Sequence, residues 1–73
     1  MTELNRVLYE AYVGEAKAAL RLKVFADKAD KEGYAQIAKL FRVIAFSEEI
    51  HGTRALKLLK EVKSTEENLA ASF

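Results

Sequence analysis

Two runs of mostly apolar positions, spaced alternately four and three residues apart, cover most of the chain. The first runs Leu4, Leu8, Ala11, Glu15, Ala18, Leu22, Phe25, Ala29. The second runs Ile37, Phe41, Ile44, Glu48, His51, Ala55, Leu58, Val62. This is heptad spacing, which keeps one face of an α-helix pointed at a partner. Thr2 offers an N-cap and Glu3 a negative charge in the first turn, where the helix dipole favours it. The pattern predicts a first helix over roughly residues 3 to 31, about 40 Å long. Asp30-Lys31-Glu32-Gly33 interrupts it, with Gly33 as the natural residue just past the helix end. The second helix is expected to end near Lys63, because Lys57, Lys60 and Lys63 suit the negative end of the dipole.

So short a turn brings the helices back as an antiparallel hairpin. Pairing Ala29 with Ile37 sets the layers Phe25/Phe41, Leu22/Ile44, Ala18/Glu48, Glu15/His51, Ala11/Ala55, Leu8/Leu58 and Leu4/Val62. The polar members of both seams, Glu15, Glu48 and His51, then fall in two adjacent central layers. Further apolar residues lie off the seams, among them Val7, Val13, Leu20, Val24, Val43, Phe46 and Ile50. A lone hairpin would leave many of them wet, so the expected fold is all-α, with two hairpins associating into a four-helix bundle. The hairpin occupies residues 1–63. Residues 64–73 form a short C-terminal segment that opens on a capping-box signature, Ser64-Thr65-Glu66-Glu67, with Leu69 and Phe73 four apart, and reads as the start of a third helix.

Composition narrows the chemistry. A chain of 73 residues is one small domain, which usually needs a disulfide, a metal or a partner to be stable. It has no cysteine, which leaves the metal and the partner. The absence of proline and the wealth of Ala, Leu, Lys and Glu agree with an all-helical chain. A net charge of +1 with both signs interspersed gives no case for nucleic acid or an anionic membrane. Without a long apolar run or a leader pattern, the expected location is the cytoplasm.

Burying Glu48 and His51 one turn apart on an apolar helix face is costly unless something compensates. Carboxylate oxygens with an imidazole nitrogen suit iron, manganese or zinc. One hairpin supplies Glu15 and a Glu-x-x-His step, half the ligand set of a carboxylate-bridged bundle site. Two hairpins about a twofold axis would gather four carboxylates and two histidines around two divalent ions, which balance the carboxylate charge. The expected metal ligands are therefore Glu15, Glu48 and His51, with no catalytic residue beyond them. Tyr12, one turn before Glu15, is a candidate for a supporting hydrogen bond or for surface packing. Gly14 and Gly52 flank the ligands and fit either close helix approach or tolerated drift. Glu49, off the seam, is expected to be solvated, and the Lys and Arg residues to form an exposed face.

The segments Ala11-Tyr12-Val13-Gly14-Glu15, Glu32-Gly33-Tyr34-Ala35-Gln36-Ile37-Ala38-Lys39-Leu40-Phe41 and Glu48-Glu49-Ile50-His51 resemble the rubrerythrins of the ferritin-like superfamily. The resemblance covers nearly the whole chain but only the first two helices of a rubrerythrin bundle. It implies two iron ions per homodimer or within a larger homo-oligomer. Hydrogen peroxide or dioxygen would be the oxidant, and an external electron donor would replace the missing rubredoxin-type domain. A further glutamate of the family's third helix has no counterpart here, and Ala18 stands at the equivalent offset from Glu15. The resemblance therefore implies metal binding more directly than peroxide turnover. The alternative is a non-enzymatic helical dimerisation module, or a fragment of a rubrerythrin, whose polar layer only sets register and assembly, as a buried polar residue does in coiled coils.

Overall fold

The computed structural model describes residues 2–72. Within them the chain forms three helices: α1 (Glu3–Lys31), α2 (Ala35–Leu58) and α3 (Thr65–Ala71). The Thr2 side chain accepts the backbone N–H of Asn5 at 3.0 Å and starts α1. Gly33 ends it with φ +86°. The Gly33 N–H donates to Asp30 O at 3.1 Å and the Tyr34 N–H to Ala29 O at 2.8 Å, the paired bonds of a Schellman ending. The chain then reverses directly into α2, giving the expected antiparallel hairpin.

What lies between the two helices differs from the expected seam. The buried residues are small: Ala19, Ala26 and Ala29 from α1, with Ala38, Ala45, Gly52 and Ala55 from α2. Ala26 and Ala38 are fully inaccessible. Leu8, Ala18, Leu22 and Phe41 are only half-buried, while Leu4, Phe25, Ile37, Ile44, Leu58 and Val62 remain exposed. Small side chains allow the helix axes to approach closely, since interaxial distance is set by the residues at the contact. The larger residues of the heptad pattern lie to one side of this alanine–glycine line and form an open apolar flank. Pairing along the hairpin still follows the expected layers: the Phe25 and Phe41 rings pack at 5.9 Å between centroids, tilted by 58°.

The opposite flank carries the polar contacts between the helices. Arg42 donates to Asp30 at 2.6 Å and to Asp27 at 3.1 Å, and these two carboxylates raise the guanidinium pKa above its usual value. Lys23 pairs with Glu49. Glu49, expected to be solvated, is half-buried in this pair, and Lys23 and Arg42 bridge the helices instead of simply coating the surface. Such exposed pairs are worth little individually, roughly 0–1 kcal/mol. They place the charged contacts on the flank opposite the apolar one.

α2 stops at Leu58, short of the expected end near Lys63. Lys60 takes a left-handed conformation, φ +61°, and the Lys60 N–H donates to Lys57 O at 3.0 Å. Basic residues suit a helix end, but they mark its neighbourhood and not its last residue. Ser64 then caps α3, accepting from the Glu67 N–H at 3.1 Å and donating to the Glu67 carboxylate at 3.0 Å. Phe73, paired with Leu69 in the sequence pattern, lies outside the described residues. No Cα of α3 comes within 8 Å of a Cα in α1 or α2. No helix among the described residues is long and apolar enough to cross a membrane.

Candidate metal centre

Glu15 sits near the middle of α1, and Glu48 and His51 are one turn apart on α2. All three border the open apolar flank. Helical spacing puts Glu48 and His51 on one face, and the antiparallel register carries Glu15 to them. His51 Nδ1 lies 3.4 Å from Glu15 Oε2, with the Glu15 side chain 28% exposed and His51 56%. Glu15 Oε2 is itself buried and has no hydrogen-bond partner among the described residues. A buried carboxylate oxygen without a partner is costly and rare in proteins.

The Glu48 carboxyl titrates above its ordinary range. The largest cause is a side-chain hydrogen bond with Glu15, followed by partial removal from water and repulsion by the Glu15 charge; His51 acts in the opposite direction. Two carboxyls at such close quarters favour holding a proton between them. A cation placed there would relieve the same repulsion.

Gly52 explains how the helices come this close at the site. A Cβ on Gly52 would meet Glu15 Cβ at 3.3 Å, Tyr12 O at 3.9 Å and Ala16 N at 4.0 Å. Of the two readings open for the glycines, Gly52 is a close-approach residue. Gly14 faces open space, with nothing within 4 Å of an added Cβ. Tyr12 is half-buried and meets Tyr9 edge-on, with ring centroids 6.3 Å apart. It also borders a shallow notch with Ala16, Glu48 and Gly52, beside the carboxylates.

Among the described residues, no three His, Cys, Asp or Glu side chains converge tightly enough to hold a metal by themselves. One hairpin therefore brings Glu15 into contact with His51 and with Glu48 without forming a closed cage. The donor set nevertheless fits a hard or borderline divalent ion. The orphaned Oε2 and the repulsion between the Glu15 and Glu48 carboxyls are the features such an ion would relieve.

The sequence matches the Rubrerythrin family over residues 6–72. The chain belongs to the rubrerythrin family. It is 39% identical over 54 residues to rubrerythrin-2 of Clostridium acetobutylicum, covering 74% of this chain and 29% of that protein. It is also 39% identical over 60 residues to the rubrerythrin of Clostridium perfringens, covering 82% and 31%. A putative rubrerythrin of Methanocaldococcus jannaschii is 38% identical over 63 residues, covering 86% and 31%. The chain thus spans less than a third of the length of the curated rubrerythrins it matches. Family membership and the all-helical architecture are consistent with a ferritin-like helical fold.

Proposed function

We propose that two copies of this chain close their apolar flanks on each other to form a ferritin-like four-helix bundle that binds two iron ions. The observation that carries this reading is the buried Glu15 Oε2, which has no hydrogen-bond partner among the described residues and lies 3.4 Å from His51 Nδ1, on a carboxylate that also raises the Glu48 pKa. A twofold axis past this point doubles the donor set to four carboxylates and two imidazoles. The exposed apolar residues beside it, Phe25, Ile37, Ile44 and Leu58, supply the surface that association would dry.

In this reading Glu15 and Glu48 bind through their oxygens and offset the cation charge, while His51 contributes one ring nitrogen. Bound iron would supply one-electron chemistry toward dioxygen or hydrogen peroxide, with electrons from an external donor. The residues of the chain hold the ions close together, and the apolar flank restricts water around them. Gly52 and the alanine line keep α1 and α2 near enough for ligands from both helices to meet. Manganese or zinc fits the same donors, so metal content discriminates among them.

The test is metal analysis and light scattering on one purified sample reconstituted with ferrous iron. About one metal per chain in a dimer or larger assembly is expected, falling to background in Glu48→Ala. A stable monomer with no bound metal, or a Glu48→Ala variant that binds as well as the parent, would overturn the proposal.

A further inference from the structure

A hydrogen-bonded connection leads from α2 into α3. Asn68 grips the preceding strand of backbone: its Nδ2 donates to Lys63 O at 3.0 Å, and its Oδ1 accepts the Lys63 N–H at 2.9 Å. The Ser64–Glu67 cap and the bonds at Lys60 fix the residues on either side. So secured, α3 stands clear of α1 and α2 and presents Leu69 61% exposed. Glu66, three residues earlier, shares Leu69's face. The segment from Ser64 onward carries acidic residues and no basic ones.

A surface of opposite character lies on α2. Phe46, Glu49, Ile50, Thr53, Arg54 and Lys57 line an open groove; Phe46 is 65% exposed and Ile50 41%. By helical periodicity most of this groove lies away from the open flank assigned to the bundle, while its Phe46–Glu49 edge adjoins Lys23 and Asp27 of α1. Bundle formation therefore leaves it uncovered. It offers an apolar floor and two cations.

We propose that α3 of one copy docks in the α2 groove of another, with Leu69 between Phe46 and Ile50 and Glu66 facing Arg54 or Lys57. α3 makes no contact with its own hairpin, and the occupant assigned to the groove is therefore α3 of a second chain. Apolar contact supplies the attraction, and the charges set orientation and exclude the wrong partner. The contact joins unlike surfaces, α3 on one side and α2 on the other. Such heterologous contacts link copies head-to-tail and close into rings when the rotation permits. The contact needs no metal.

The experiment is light scattering of the full chain in chelator, with helical content checked by circular dichroism. Glu66→Lys and Lys57→Glu with Arg54→Glu are each expected to lower the assembly mass and loosen association by at least about tenfold. Combining the reversals restores opposite charge and is expected to return the parent mass. Leu69→Ser lowers the mass without rescue by either charge change. A parent chain that remains monomeric in chelator overturns the proposal, as does a mass indifferent to these changes or a combined variant that stays dissociated. Because iron is absent throughout, failure here leaves the metal assignment standing, and failure of the metal assignment leaves this contact standing.

Discussion

Gly52 lies directly against Glu15 across the hairpin: a Cβ at residue 52 would reach the Cβ of Glu15 at 3.3 Å, with the α1 backbone at Tyr12 and Ala16 close behind. The neighbours are anchored main-chain and Cβ atoms that cannot swing aside. Gly52→Ala therefore moves α1 as a unit and displaces Glu15. The gain in helix propensity, about 1 kcal/mol, offsets some of the lost packing, so the hairpin stays helical. The expected effect is on the site, with cobalt(II) or iron(II) affinity falling about tenfold or more, as second-tier changes around metal ligands do. Calorimetric titration of parent and variant measures it, and equal affinities would show that the approach of the helices is irrelevant to the ligands.

Gly14 provides the contrast. An added Cβ there meets nothing within the chain, so Gly14→Ala is expected to raise stability by about 1 kcal/mol from helix propensity alone. Chemical denaturation of metal-free protein gives the value. A destabilised variant would show that the space beside Gly14 is filled by another chain.

The Glu48 shift has a definite sign. Its folded pKa lies above the ordinary 4.5, so between these values the folded chain holds a proton that the unfolded chain releases. Stability from this group is complete below 4.5 and is lost as pH rises through the folded pKa. Glu48→Gln keeps the shape and removes the titration. The stability difference between parent and variant, measured metal-free across the mildly acidic range, is expected to change in that window and to be flat outside it. With metal the order reverses: cation and proton compete for the same carboxyls, so affinity rises with pH through the same window.

The hairpin was legible in the sequence because its punctuation is local. Thr2, Gly33 and Ser64 each act on backbone groups within a few residues, and the structure uses all three as caps or endings. The packing was less legible. Heptad periodicity identifies an apolar face without saying which neighbour covers it, and here the helix–helix contact runs through Ala19, Ala26, Ala38, Ala45 and Gly52. Those small residues carry little hydrophobic signal, whereas Leu4, Phe25, Ile44 and Leu58 dominate the pattern and remain exposed in one chain. The proximity of Glu15 to His51 followed from register alone. The Arg42 and Lys23 ion pairs did not, because the reach of long charged side chains across helices is not set by the apolar periodicity.

Lys60 shows where sequence and conformation disagree. A non-glycine residue at φ +61° is strained by roughly 1–2 kcal/mol. Lys60→Gly relieves that strain but adds freedom to the unfolded chain, so the net gain is expected to be about 0.5–1 kcal/mol. Thermal melts at fixed protein concentration check it. A loss of stability would mean that the Lys60 side chain makes a contact worth more than its backbone strain.

The open flank yields the most direct test of association through the bundle face. Ile44 is 38% exposed there, two turns along α2 from His51, and within one chain it lacks the contacts a buried isoleucine normally makes. Ile44→Lys leaves the alanine–glycine line untouched, so helical content is expected to remain that of the parent. A second hairpin closing over this position would have to bury the new ammonium without a counter-charge, at a cost of several kcal/mol. Association through the bundle face should therefore fail, and with it iron binding, because each chain keeps only half the donors. Sedimentation velocity and metal content, measured together on Ile44→Lys and parent, decide the point. A variant that binds iron as a monomer would place the metal within a single hairpin, where Glu15, Glu48 and His51 would have to draw together around it, and one that keeps both the parent's assembly and its iron would show that this face is not the interface.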